Sequence, residues 1–568
     1  MPAPPLVDLT VDEGERQELR EASRDWLSHT LTPRQLCDLE LLATGGFSPL
    51  RGFMTRVDYT SCCERLRLAS GAVWPVPITL DVPEHLAREL QPGSRIALRD
   101  PEGVMLAALR VDDVWEPNRR DEAEAVFATV DDAHPGVHHL LHRTHAWYVG
   151  GPLEVLTLPT HYDFRELRLT PRQVRAEFQR RGWDCVVAFQ TRNPMHRAHV
   201  EVTRRAAEVV GGHLFLHPVV GQTKPGDIDY FTRVRCYRAV LPRYQDRATV
   251  LGLLPLAMRM AGPREALWHG LIRKNFGCSH FIVGRDHASP GKNASGAHFY
   301  GRYAAQDLFR RFEQEIGMNM VAFERLLYAP DLGSYVAESE VKKGARTLTI
   351  SGTEFRERLR RGESIPEWFS YPEVVLELRR SHPPRRDQGL TLFLTGLSGA
   401  GKSTLANILT VRLRERGDRK VTLLDGDLVR QHLSSELGFS AEDRDRNIDR
   451  ITFVAGEVTR HGGVAICAPI APYDAARQRA RAHIGALGGF VLVHVAASLE
   501  VCEARDRKGL YAKARAGLIP DFTGVSDRYE IPTDADVVVD TGALSAEAAA
   551  NQVLEYLTRD GYLKVSGS

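Results

Sequence analysis

The sequence has no long apolar run, no excess of either charge, no paired cysteines and no internal repeat, and each absence removes a class of protein. Its longest hydrophobic stretches are strand-sized and broken by charge, well short of the ~20 residues a membrane-spanning helix needs. Lys and Arg number 74 against 73 Asp and Glu, so no global field draws the chain to nucleic acid or to a lipid surface, although local basic pockets for anions remain open to it. The eight cysteines, at 37, 62, 63, 185, 236, 278, 467 and 502, include no C-x-x-C pair, which argues against both a zinc site and a disulfide framework. The opening residues, Met1 to Asp8, lack the charged start and apolar core of a signal peptide. A reducing cytoplasm is the expected home.

What is there begins with Gly396-Leu-Ser-Gly-Ala-Gly-Lys-Ser403, which fits G-x-x-x-x-G-K-[ST]. The apolar run Leu390–Thr395 before it reads as a buried strand, and Thr404 to Leu413 after it is apolar at helical spacing. A glycine-rich turn matching by chance would lack both flanks. Residues Gly396, Leu397, Ser398, Gly399, Ala400, Gly401, Lys402, Ser403 and Thr404 are therefore expected to hold a nucleoside triphosphate. Glycines allow backbone N–H groups to turn onto phosphate, and the helix N-terminus adds positive charge. Lys402 would reach the β/γ-phosphates and the Ser403 hydroxyl would ligand Mg²⁺. Beyond it, Asp425 and Asp427 follow a second strand-like run and are candidates for metal binding or for taking a proton from an attacking hydroxyl. The cation-dense stretch Cys502 to Arg515 reads as a closing lid.

A chain of 568 residues suggests three to five domains at about 150 residues each. Pro, Arg and polar residues crowd Arg379 to Gly389, an expected exposed linker. After it, strand-like runs at Leu390–Thr395, Lys420–Leu424, Val464–Ala468, Val491–Val495 and Ala535–Val539 alternate with helical stretches, the pattern of a parallel sheet covered by helices. Residues 1–168 hold short strand-like runs (Ala72–Leu80, Arg95–Leu98, Val104–Val114, Glu154–Leu158) among Pro and Gly turns and read as a small β-rich domain. Residues 169–330 alternate again, 331–378 form a small subdomain, 379–389 the linker and 390–568 the phosphate-loop domain. The whole is a multidomain α/β protein.

In the middle region the strand Cys185–Phe189 ends at Gln190-Thr-Arg-Asn-Pro-Met-His-Arg-Ala-His199, and a helical stretch follows. His196 and His199 are three residues apart and share one face of the first helical turn. At the mouth of a strand–turn–helix unit that face looks into the crevice where α/β folds bind nucleotides, and imidazoles there can donate to the oxygens of a leaving pyrophosphate. A lone H-x-x-H is weak evidence; Gln190, Arg192 and Asn193 beside it add anion and amide contacts. A second polar loop, Gly284-Arg-Asp-His-Ala-Ser-Pro-Gly291, follows the strand Phe281–Val283 and points to a shared pocket.

These two loops, together with Asp38 to Leu50, Pro225 to Asp229 and Ile350 to Arg356, resemble the ATP sulfurylase family from about residue 30 to 378. The resemblance implies a PUA-like N-terminal domain, a Rossmann-like H-x-x-H nucleotidyltransferase domain, and direct attack of sulfate on the α-phosphate of MgATP, yielding adenylyl sulfate and pyrophosphate. It implies that Gln190 and Arg192 hold sulfate with the backbone at Ala288, and that Thr191, Arg192 and Asn193 stabilise the transition state. It further implies that His196 and His199 hold the β/γ end of ATP. Gly284, Arg285, Asp286, His287 and the neighbourhood of Leu327 would line the adenosine pocket, Arg285 adding charge near the reacting phosphate. Ser289 stands where the family usually has Gly, a cost if the site requires a left-handed backbone.

Residues 390 to 565 resemble adenylyl-sulfate kinase, which phosphorylates the 3′-hydroxyl of adenylyl sulfate. By that resemblance Arg430, Phe439, Arg444, Asn447 and Lys513 hold adenylyl sulfate and Phe522 stacks on its adenine. Ala471 stands where the family often has a serine described as a phosphorylation site, so transfer here would be direct. Asp449 stands where an arginine is common, which removes a cation. The expected partners are ATP, sulfate, adenylyl sulfate and further copies of the chain, with no nucleic acid and no membrane. The competing expectation is a sulfurylase whose kinase-like domain only binds 3′-phosphoadenylyl sulfate and regulates; that class resembles a kinase with a broken phosphate loop. A sulfurylase run backwards to make ATP is disfavoured by the appended kinase.

Overall fold

Of the computed structural model, residues 5–224, 226–244, 248–506 and 508–564 are described, apart from the side chain of Asp427. The chain folds as two compact units, one formed by Met1–Ile350 with Pro366–Glu377 and the other by Ser351–Ile365 with Leu378–Ser568.

In the first unit the N-terminal part is a seven-stranded sheet in which Trp147–Val155 pairs with Met105–Arg110, Gly52–Phe53, Leu80–Val82 and Asp113–Trp115. Short helices pack around it, including Pro33–Ala43, started by a Thr32–Gln35 capping box. The run Ala72–Leu80, expected as a strand, enters the sheet only at Leu80. Pro75 and Pro77 have no N–H for a ladder, and Trp74 Nε1 instead donates to the Val76 carbonyl at 2.8 Å.

The second sheet of this unit contains β1 (Val186–Phe189), β2 (His213–Leu216), β3 (Thr249–Leu251), β4 (His280–Gly284) and β5 (Asn319–Phe323), all parallel, in the order β3-β2-β1-β4-β5. Strand order reverses between β1 and β4, so the loops leaving these two strands flank the crevice where such sheets bind ligands. Helices α1 (Arg197–Val210), α2 (Tyr230–Val240) and α3 (Gly262–Asn275) cover the sheet. α3 is buried nearly all round, and its Trp268 meets Phe47 of the N-terminal part at 5.3 Å between ring centroids. The two sheets thereby share one core. A buried ion pair, Arg259 with Asp38 at 2.5 Å, crosses the same seam.

The second unit holds β6 (Leu390–Thr395), α4 (Lys402–Arg416), β7 (Val421–Asp425), α5 (Gly426–His432), α6 (Ala441–Arg460), β8 (Val464–Ala468), β9 (Gly489–Ala496), α7 (Leu510–Arg515) and β10 (Val537–Asp540). Its sheet is parallel with order β7-β8-β6-β9-β10. Every residue of the central strand β6 is buried, as expected of a strand covered on both faces. The expected exposed linker is in fact fastened to this unit: Arg385 pairs with Asp560 and lies over the Tyr562 ring, while Pro384 and Gly389 are buried. Polar composition misled here because a long arginine stem can cover an aromatic face while its charge finds a carboxylate. No helix among the described residues is long and apolar enough to cross a membrane.

Candidate active sites

A cavity of about 390 Å³ opens where β1 and β4 end. Its walls include Gln190, Thr191, Arg192 and Asn193 after β1, and Gly284, Arg285, Asp286, His287, Ala288 and Ser289 after β4. The two loops singled out in the sequence, about 95 residues apart, thus face one space because β1 and β4 are neighbours in the sheet. His199, on the first turn of α1, also lines it.

The histidine pair divides. His199 Nδ1 accepts from the His196 backbone N–H at 3.1 Å, and burial holds its pKa down at about 4. A neutral ring whose Nδ1 accepts must carry its proton on Nε2, so His199 is a donor awaiting an acceptor. His196 is not among the cavity-lining residues. Its Nδ1 lies 2.9 Å from Ser370 Oγ and its ring 4.8 Å from Phe369. Burial, and then the neighbouring His199, hold its pKa at about 3. His199 lines the cavity, while His196, its ring centroid 5.9 Å from that of His199, sits at the N-cap where the backbone is still extended.

Arg192 is held by Asp227, with Nη1 at 2.5 and 2.6 Å from the two carboxylate oxygens. Gln190 Nε2 lies 3.7 Å from Met258 Sδ. Thr191 Oγ1 accepts from the Asn193 N–H at 3.1 Å, and Tyr237 Oη donates to the Asn193 carbonyl at 2.9 Å, so the loop is tied down from two sides. Arg285 reaches Asp286 at 2.9 Å and faces Glu338 at 3.8 Å. The cavity wall next to Leu327 runs through Phe323, Glu324, Arg325 and Leu326, with Leu327 itself outside the lining. Leu327 lies on the hairpin strand Leu326–Ala329 and is buried, and alternation along a strand turns it to the other face.

The left-handed backbone that would make serine costly at 289 is absent there, Ser289 lying outside that region, and occurs instead at Asp286 (φ +58°) and Ala288 (φ +52°). Serine is therefore tolerated, and its Oγ accepts from the Gly291 N–H at 3.2 Å. The sequence reading missed Met258, Arg325 and the pairing of Asp227 with Arg192. Pro225 to Asp229 had been singled out as a motif, but nothing in its spacing says which carboxylate meets which arginine; Pro225 itself lies outside the described residues.

In the second unit β6 leads into the phosphate loop and α4. Gly396 cannot carry a side chain, since a Cβ there would sit 2.4 Å from the Val495 carbonyl oxygen, and Gly401 (φ +96°) turns the chain into the helix. Lys402 is buried, and its Nζ donates to the Gly396 and Leu397 carbonyls at 2.9 Å each. Burial lowers its pKa to about 8. Ser403 and Thr404 are exposed at the start of α4. Asp425 ends β7 and is close enough to act electrostatically on Lys402. Asp427 follows on α5, its side chain outside the described residues.

Arg430 stacks its guanidinium 4.3 Å over Phe439 and donates to the Gly438 carbonyl at 3.0 Å. Arg444 donates to Thr523 Oγ1 at 3.0 Å and pairs with Asp527, which binds α6 to the segment carrying Phe522. Phe522 meets Tyr511 edge-on at 5.0 Å. Asn447 is buried with its Oδ1 unpartnered among the described residues. Lys513 is exposed on α7. Ala471 is buried, with φ +45°, and Asp449 faces Arg479 at 3.3 Å, a cation it shares with Asp445.

Two parallel sheets, each with an anion-cradling loop at a strand's carboxyl end, define an enzyme with two phosphate-handling centres. Family models match a PUA-like domain at residues 3–158, ATP-sulfurylase at 165–381 and adenylylsulphate kinase at 388–540. The sulfate adenylyltransferase of Phaeosphaeria nodorum is 53% identical over 562 residues, covering 98% of each chain. That of Aspergillus fumigatus is 52% identical with the same coverage. A solved structure titled as a hexameric APS kinase from Thiobacillus denitrificans is 40% identical and superposes with a TM-score of 0.82 over 99% of this chain and 98% of that one. The chain belongs to the sulfate adenylyltransferase family. It is a transferase of sulfate activation with a sulfurylase domain and an adenylyl-sulfate kinase domain.

Proposed function

We propose that the first unit joins sulfate to the α-phosphate of ATP, releasing pyrophosphate, and that the second transfers the terminal phosphoryl group of another ATP to the 3′-hydroxyl of the adenylyl sulfate formed. The observation that carries both steps is the coexistence of an Arg192–His199 pocket at one switch point with an unbroken Gly396–Ser403 loop at another.

In the first step a sulfate oxygen attacks the α-phosphorus in line and the bond to the β-phosphate oxygen breaks. Arg192 and Gln190 orient sulfate, with Ala288 adding a backbone N–H. Thr191, Arg192 and Asn193 face the reacting phosphate. The His199 Nε2–H donates to the departing pyrophosphate, whose gain of charge makes that bond stronger in the transition state than in the ground state. His196 acts through His199, by offering the N–H that fixes its tautomer.

In the second step Lys402 exchanges the Gly396 and Leu397 carbonyls for phosphate oxygens, while Arg430, Phe439, Arg444, Asn447 and Lys513 hold adenylyl sulfate and Phe522 packs on its adenine. Asp425 and Asp427 share acceptance of the hydroxyl proton and support of the metal. The Ser403 hydroxyl and a carboxylate oxygen form the hard-oxygen donor set that suits Mg²⁺, which neutralises phosphate charge when bound with ATP. Ala471 has no hydroxyl to phosphorylate, so transfer to the substrate is direct. Formation of a phosphoric–sulfuric anhydride is uphill, and consumption by the kinase draws it forward.

A second reading has one observation in its favour: the fungal relatives are named for the first activity alone. In it the kinase-like unit binds 3′-phosphoadenylyl sulfate and regulates. The complete phosphate loop speaks for catalysis. Release of ADP from ATP and added adenylyl sulfate tests this directly, and none above background would leave the regulatory reading standing. The hexameric title of the Thiobacillus denitrificans relative supports a homo-oligomer here, which sedimentation velocity would measure.

A further inference from the structure

Beside the sulfurylase cavity lies a chain of three side chains, Glu265 and His269 buried and His287 half-buried, to which the catalytic steps assign no role. Glu265 and His269, one turn apart on α3, are both fully inaccessible to solvent. His269 Nε2 lies 3.3 Å from Glu265 Oε1, within ion-pair distance but outside hydrogen-bond geometry, and His269 Nδ1 lies 3.0 Å from Nε2 of His287, which lines the cavity. The other contacts of Glu265 are also specific: it accepts the Arg259 N–H at 3.0 Å and the Ala261 N–H at 2.8 Å. Those two residues continue the wall that Met258 forms. One carboxylate thus connects both sides of the pocket, and the Gly262 N–H closes the gap by donating to the Ala288 carbonyl at 3.2 Å.

Burial opposes ionisation of Glu265, yet the His269 contact and the two backbone donors keep its carboxyl below the usual carboxylate range. A carboxylate oxygen 3.3 Å from His269 Nε2 favours a proton on that nitrogen. His269 Nδ1 is then bare and accepts from His287 Nε2–H, so a single tautomer is specified along the whole chain. His287 is the residue between Asp286 and Ala288, the two positions of this loop in the left-handed region. A non-glycine residue in that region costs on the order of 1 kcal/mol or more and persists only where surrounding contacts over-determine it. The Ala288 N–H makes no hydrogen bond among the described residues.

We propose that Glu265 and His269 are positioning residues of the sulfurylase: through the His287 ring they hold the Asp286–Ala288 turn so that the Ala288 N–H is offered to the sulfate oxyanion. This rests on the reading above that sulfate is the oxyanion bound there.

Two replacements at one position separate this from simple packing. His269→Asn keeps an acceptor at the position of Nδ1 but loses ring volume, whereas His269→Phe keeps the ring and loses the acceptor. The expected result is a KM for sulfate within about threefold of wild type for His269→Asn and raised tenfold or more for His269→Phe, with kcat changed less than KM. A thermal midpoint of the first unit, which contains His269, unchanged in both, shows that this unit is folded. The reverse order, with Phe tolerated and Asn impaired, overturns the proposal, as does equal impairment. If wild type itself releases no pyrophosphate, the functional reading fails and not the relay. The ¹⁵N resonances of His287, assigned by their loss in His287→Gln, then decide: a bare Nδ1 with protonated Nε2 that is lost in Glu265→Gln upholds the relay, and a mixture of tautomers in wild type refutes it.

Discussion

Arg192 places one guanidinium nitrogen between both carboxylate oxygens of Asp227, at 2.5 and 2.6 Å. The arginine is mostly buried and the aspartate more so. An arginine anchored in this way keeps the rest of its fork in a fixed plane, ready for a second oxyanion.

Lysine at this position retains the charge and loses the fork. Arg192→Lys is expected to lower kcat/KM for sulfate about 100-fold, the scale of removing one preorganised donor, while kinase turnover stays at wild-type level. Pyrophosphate release at varied sulfate measures the first and ADP release on adenylyl sulfate the second. A loss below threefold would remove Arg192 from the oxyanion site.

Several histidines of the first unit are held well below their ordinary pKa chiefly by burial, among them His134 and His199 at about 4, His139 and His196 at about 3, and His217 and His287. The unfolded chain therefore binds protons at a pH where the folded one does not, and stability rises with pH in that interval. The contribution is intact above about pH 6.5, the unfolded value, and is lost progressively as pH falls from there towards 4. The thermal midpoint of the first unit should decline from pH 7 to 5, and His199→Gln should make the decline shallower. An unchanged slope in that variant contradicts the assignment.

Lys402 titrates near 8 in the nucleotide-free protein because burial disfavours its charge, and a polyphosphate beside it favours that charge. At pH 8.5, ATP binding to the kinase site should be accompanied by uptake of a proton, seen as a dependence of calorimetric heat on the buffer's ionisation enthalpy. Lys402→Ala should abolish that dependence, reduce kinase turnover by roughly three orders of magnitude, on the scale of lost electrostatic stabilisation, and leave pyrophosphate release largely intact. Simultaneous loss of both activities contradicts independent sites.

Asn447 Oδ1 is buried without a partner among the described residues, a state that costs about 1–3 kcal/mol unless a ligand supplies the donor. Asn447→Ala should raise KM for adenylyl sulfate about tenfold without lowering the thermal midpoint of the second unit. A lowered midpoint with unchanged KM would make this asparagine a structural residue.

The phosphate loop was legible from the chain because its function is local: strand, glycine turn and helix are consecutive, and glycines at 396 and 401 are required by backbone geometry that no other residue satisfies there. All five strands of the second unit formed within two residues of their expected positions; β6, β8 and nearly all of β9 are buried throughout and so read as continuous apolar runs. The identities of Gln190 to His199 and Gly284 to Ser289 were equally visible. What only tertiary structure decided is how those groups act. That His199 faces the cavity while His196 turns to Ser370, that Asp227 holds Arg192, and that Glu265 reaches the pocket through two imidazoles all depend on contacts between residues far apart in the chain. Side-chain direction, partner and protonation state are set by packing, which no local spacing encodes.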